Sequence, residues 1–165
     1  MISQVKQEAA RDAAKLLAKV WNNPLPIAPD IVALRMGVTV RLEALGERTD
    51  GVLLGGDAGA STIALNEANS EVRRRFTCAH ELGHYVRRSA NGQGGMSYDP
   101  RNPNSLTGDD PEEVYANEFA ACLLMPESLV RTFHFKGFSD LEMARKFAVS
   151  RQAMRIRLVN LGLAG

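Results

Sequence analysis

The stretch Phe76-Thr77-Cys78-Ala79-His80-Glu81-Leu82-Gly83-His84-Tyr85 constrains this chain more than any other, because its two histidines sit four residues apart around a glutamate. On a helix, residues i and i+4 share one face and are separated by about 6 Å of rise. Both imidazoles can then reach one cation. Glu81 falls roughly 100° further round, beside the ion, where it can take a proton from a water activated there. Two neutral imidazoles with one carboxylate and an open fourth position make the usual hydrolytic zinc site, so zinc is the expected metal. A histidine pair of this spacing can also be no more than a partly buried polar patch. A third ligand on another helix decides between the two readings.

That ligand should be an acid, and the best candidate lies in Pro111-Glu112-Glu113-Val114-Tyr115-Ala116-Asn117-Glu118-Phe119-Ala120-Ala121-Cys122-Leu123-Leu124-Met125-Pro126. Pro111 suits a first helical turn, and the apolar run up to Met125 predicts a buried helix closed by Pro126. Glu113 and Asn117 are again i and i+4. A carboxylate with an amide one turn later can bind the ion and also hold the ring nitrogen of His80 or His84 that faces away from it. Glu112, Glu118, Asp109 and Asp110 compete with Glu113. Glu112 has Ala116 one turn on, Glu118 has Cys122, and both aspartates precede the helix, so none offers that partner.

The pattern F-T-x-A-H-E-L-G-H, followed about thirty residues later by E-x-x-A-N-x-F-A-A-x-L-L-M-P, resembles the ImmA/IrrE family of bacterial metallo-endopeptidases. The matching positions run from Phe76 to His84 and from Glu113 to Pro126. The resemblance implies a gluzincin-like zinc peptidase with His80, His84 and Glu113 as ligands and Glu81 as general base. It also implies a protein substrate, a cognate helix-turn-helix repressor whose loss switches on mobile-element or stress genes. No residue of the chain specifies that target.

At 165 residues the chain fits one core with a small appendage and needs no disulfide staples. Its net charge of +1 argues against a surface built to hold nucleic acid, although a local basic patch is compatible with it. Charged residues from Lys6 to Asp12 interrupt the N-terminus, and the longest apolar run, Phe119 to Met125, is too short to span a bilayer. A cytoplasmic, membrane-free protein is expected. Cys78 and Cys122 both point away from the metal by helical phase, which makes them apolar filling in a reducing compartment.

Along the chain, helical spacing of Val5, Ala9, Ala13, Leu16, Leu17 and Val20 predicts a first helix, and Asp30 to Met36 a short second one stopped by Gly37. Val38 to Leu42, Gly51 to Leu54 and Ser61 to Leu65 read as strands of a small antiparallel sheet. If the third strand is a sheet edge beside the cleft, a substrate peptide can add to it. The metal helix should start at a Ser70 cap. Its arginines, Arg73, Arg74, Arg75, Arg87 and Arg88, read as a solvated face. The segment from Ala90 to Asp110, rich in Gly, Asn, Pro and Asp, has the length of a functional loop and could act as a lid. Tyr98, Tyr85 and His134 are candidate donors to an oxyanion.

Beyond Pro126, Ser139 and Ser150 are N-caps of two short amphipathic helices that read as a helix-turn-helix. The expected fold is therefore α+β: a three-stranded antiparallel sheet packed on zincin-like active-site helices, with a helical appendage. The division is 1–126 for the peptidase core and 127–165 for the appendage. A regulatory module that binds DNA or protein through Ser150 to Leu158, without proteolysis, is the alternative function. It is the weaker one, because Ala148 occupies the turn where glycine is common and the charge is nearly balanced.

Overall fold

The computed structural model of the protein describes residues 1–22, 24–55, 60–93 and 110–164. The fold is α+β, and among the described residues it holds seven helices and a three-stranded sheet. Helix α1, Ile2–Val20, buries the stripe Val5, Ala9, Ala13 and Leu16, whose spacing of three to four residues is that of one helix face. Helix α2, Pro29–Arg35, follows, with proline at its first position, where no backbone donor is needed.

Strands β1, Val38–Glu43, β2, Gly51–Gly55, and β3, Ser61–Asn66, lie in the order β1-β3-β2. Here the structure corrects the expected sheet. β2 pairs with β3 antiparallel, but β1 pairs with β3 in parallel, so the sheet is mixed. It also corrects the expected edge, because β3 is the central strand. The reason lies in burial: Ile63, Ala64 and Leu65 are buried consecutively, as a strand covered on both faces must be, whereas β1 exposes Thr39, Arg41 and Leu42. Among the described residues, the edge strand beside the metal helix is β2.

Helix α3, Glu71–Ala90, packs its buried face on the sheet and on helix α4, Pro111–Leu124. Helices α5, Glu127–Phe135, α6, Asp140–Phe147, and α7, Arg151–Asn160, complete the chain. Ser139 and Ser150 cap α6 and α7 as expected, and a full capping box closes between Ser139 and Glu142. Ala148 does adopt the left-handed turn, with φ of 51°. Its carbonyl accepts from Arg75 Nε at 3.1 Å, which ties the turn to the metal helix. Val130, Met143, Phe147, Met154 and Leu158 join the same buried cluster as Ala9 and Leu82. No helix among the described residues is long and apolar enough to cross a membrane.

Candidate metal centre

The site is assembled where α3 meets α4. Ser70 Oγ accepts from the backbone amide of Arg73 and starts α3, and Asp110 accepts from the amide of Glu112 and starts α4. Regular helix from there puts His80 and His84 on one face and Glu113 on the first turn of the facing helix. The helices can approach because residue 83 is glycine: a β-carbon there would stand 3.1 Å from Phe119 Cδ1 and 3.2 Å from the Ala116 Cα.

Three donors converge. His84 Nε2 lies 3.1 Å from His80 Nε2, and the Glu113 carboxylate straddles the pair, one oxygen 3.3 Å from His80 Nε2 and the other 3.2 Å from His84 Nε2. These are the separations a metal requires, since tetrahedral ligands at about 2.0–2.1 Å from zinc stand about 3.3–3.4 Å apart. The donor set could therefore bind a metal ion. Asn117 Oδ1 accepts from His80 Nδ1 at 3.0 Å, which leaves Nε2 as the lone-pair nitrogen turned toward Glu113 and His84.

Glu81 is 4% exposed, and its Oε2 is buried without a hydrogen-bond partner. Burial pushes its carboxyl above the usual range, against the pull of His80 and His84. Burial alone would lower the pKa of His80, but the hydrogen bond its protonated ring gives to Glu113 and the charges of Glu81 and Glu113 raise it. A hollow of about 300 Å³ opens over these groups, with His80, Glu81 and Asn117 on one side and Arg48, Thr49 and Gly51 on the other. The arrangement offers a cation-binding triad, a buried carboxylate of raised proton affinity, and room for a reacting group beside both.

The competing acids are engaged elsewhere. Glu112 accepts from Arg87 at 2.7 Å, Glu118 accepts from Cys122 Sγ and lies 3.6 Å from Arg157, and Asp110 caps α4. Asp109, Tyr98 and the loop from 94 to 109 lie outside the described residues. Tyr85 packs on the core, and His134 sits on α5 edge-on to Phe135, so neither lines the hollow. Cys78 and Cys122 are buried, with thiols pushed up to about 12 by burial. The arginines of α3 are not a merely solvated face. Arg73 pairs with Asp50 at 2.8 Å, Arg74 donates to the carbonyl of Asn69, and Arg75 to those of Ile27 and Ala148.

The segment from Gly46 to Gly51 went unnoticed in the sequence, yet it forms the far wall of the hollow. Buried Asn66 holds it by donating to the carbonyls of Gly46 and Thr49, while Asp50 accepts from Asn69 and Arg73. One signal was available. A glycine opening a strand marks close approach, and a β-carbon on Gly51 would stand 2.6 Å from Thr77 Cγ2 of the metal helix.

Comparison with known proteins gives a family and a fold. The family model described as the IrrE N-terminal-like domain of the M78 peptidases matches residues 33–159. Among solved structures, a chain described as a Mycobacterium tuberculosis transcriptional regulator superposes with a TM-score of 0.64 at 15% identity, over 92% of this chain and 46% of that one. The present chain thus spans under half the length of that regulator. No curated protein matches the sequence.

Proposed function

Because the chain belongs to the M78 family of metallopeptidases, with its IrrE N-terminal-like domain, we propose that it is a zinc-dependent endopeptidase. The reading is carried by one observation: His80, His84 and Glu113 bring three donor atoms to metal-ligand separations directly beside the buried carboxylate of Glu81. Zinc held by these three would polarise a scissile carbonyl and lower the pKa of water toward neutrality. Glu81 would accept the water proton and return it to the leaving amine, a role suited to a carboxyl whose proton affinity burial has raised. Asn117 would orient His80 through Nδ1. An extended substrate would add beside β2, an edge strand among the described residues whose first residue, Gly51, lines the hollow, and not to β3, which is paired on both sides.

The substrate we infer is a helix-turn-helix repressor; this rests on the resemblance and on the family, and 127–165 would be the appendage that faces partners. The alternative, a DNA reader using Ser150 to Leu158, is the weaker reading. Asp140 accepts from Arg151 at 3.1 Å and from Arg155 at 2.5 Å, so one carboxylate holds both cations that would meet phosphates and offsets one of their two charges.

The deciding experiment incubates the zinc-loaded protein with helix-turn-helix repressors from the same genome, beginning with any encoded beside it. Specific cleavage by the parent, lost in Glu81→Gln at unchanged zinc content, supports the reading. Repressors all left intact by the zinc-loaded parent overturn the substrate, and cleavage persisting in Glu81→Gln overturns the general base.

A further inference from the structure

A second hollow, of about 320 Å³, lies between α4 and α7. Ala121 and Met125 of α4 and Ala153 and Ile156 of α7 line it, and Ile156 is 54% exposed. It adjoins the hollow beside His80 and Glu81, since Phe76 and Asn117 line both. Two of its charged side chains face each other: Arg157, 6% exposed, lies 3.6 Å from Glu118 and donates to the carbonyl of Met125 at 3.1 Å. The result is a largely apolar chamber next to the metal centre, at the small end of the volume range of ligand pockets.

Resting on the peptidase reading, we propose that this chamber is a substrate subsite for one large apolar side chain, and that α7 is part of the peptide-binding surface. Spacing along α4 sets which side chain. Glu113, Asn117 and Ala121 are successive residues of one stripe, so Ala121 lies about 12 Å along the axis from the ligand carboxylate. An extended peptide covers about 3.3 Å per residue, which places the recognised side chain roughly two to four residues from the bond to be cut. Lys6, exposed on α1, also lines the hollow, but much of the rest of its wall is Phe76, Val114, Ala121, Met125, Ala153 and Ile156, and Leu, Met or Phe would bury its apolar surface there.

The test uses the full chain, zinc-loaded, with a random-sequence peptide library. The parent should cut peptides enriched in large apolar residues at one position near the cut, and Ile156→Asp should reduce that enrichment about tenfold or more at unchanged zinc content. Val159→Asp, on the same helix but outside the chamber, should behave as the parent. Equal enrichment in the parent and in Ile156→Asp overturns the subsite. A second arm keeps the subsite separate from the peptidase reading: the zinc-loaded Glu81→Gln protein is equilibrated with the library and the retained peptides are sequenced. If the parent cuts nothing, the peptidase reading falls. The retained peptides then decide the subsite, since apolar enrichment abolished by Ile156→Asp supports it and no enrichment overturns it.

Discussion

Gly83 of α3 lies so close to Ala116 of α4 that a β-carbon on the glycine would stand 3.2 Å from the Ala116 Cα. This approach lets the Glu113 carboxylate reach the two histidines from a separate helix. Gly83→Val should push α4 outward, because the Ala116 Cα is backbone and cannot swing aside, even if the Phe119 ring at 3.1 Å does. We expect zinc affinity to fall by about tenfold or more, with an overpacking cost of about 1–3 kcal/mol. Competition against a chromophoric chelator measures the first and urea unfolding the second. Parent-like zinc affinity in Gly83→Val would show that the helix separation does not set the site.

Asn117 fixes the ring of His80 through Nδ1 at 3.0 Å. Asn117→Ala should lower zinc affinity about 10–100-fold while leaving the fold intact, the usual consequence of removing a hydrogen-bond partner from a ligating histidine. Asn117→Asp, which keeps an acceptor in place, should recover most of it. An alanine variant as tight as the parent would remove Asn117 from the account.

Acid should act on the site with a definite sign. In protein stripped of metal by a chelator, burial holds the Glu81 carboxyl above its usual value, and His80 is raised by Glu113 and Glu81 in spite of burial. A raised pKa means that the folded state binds protons more tightly than the unfolded chain. Stability from His80 is then fully present below about pH 6.5, its ordinary value, and is lost as pH rises through the folded value. Zinc has the opposite dependence, because it needs neutral imidazoles and an ionised carboxylate. The difference in Tm between zinc-loaded and chelator-treated protein should therefore widen steadily from pH 5 to pH 8. A difference that is constant across that range would argue against imidazole ligation.

Asn66, 4% exposed, bridges the carbonyls of Gly46 and Thr49 and accepts from the amide of Ala68 at 3.1 Å. Asn66→Ala leaves those two carbonyls without their donor, which should cost about 1–3 kcal/mol in urea unfolding. Its zinc content should match the parent, because none of the three donors touches Asn66. A change below a few tenths of a kcal/mol would mean that the wall of the hollow is held by other contacts.

Much of the site could be read in one dimension. The pairing of His80 with His84 follows from helical spacing, and so does the choice of Glu113 over its neighbours, since of the acids considered only Glu113 has an amide one turn on. The caps at Ser70, Ser139 and Ser150, and Pro111 at the start of α4, were equally visible, because capping satisfies backbone groups within three or four residues. The apolar run of β3 even carried the signal of a central strand, although strand spacing alone left the pairing direction open.

What the amino-acid order determined by itself was therefore local: where helices begin, which side chains share a helix face, and which residue types could ligate a metal together. Tertiary structure alone decided that β1 runs parallel to β3, that β2 is an edge strand among the described residues, and that Asp140 pairs with both Arg151 and Arg155. It also decided that the segment from Gly46 to Gly51 closes over the metal helix. The physical reason is one of range. Helical phase and capping act over a single turn and leave a periodic trace, whereas strand order and ion-pair partners depend on apolar surfaces meeting across tens of residues, and no spacing in the chain records which of them meet.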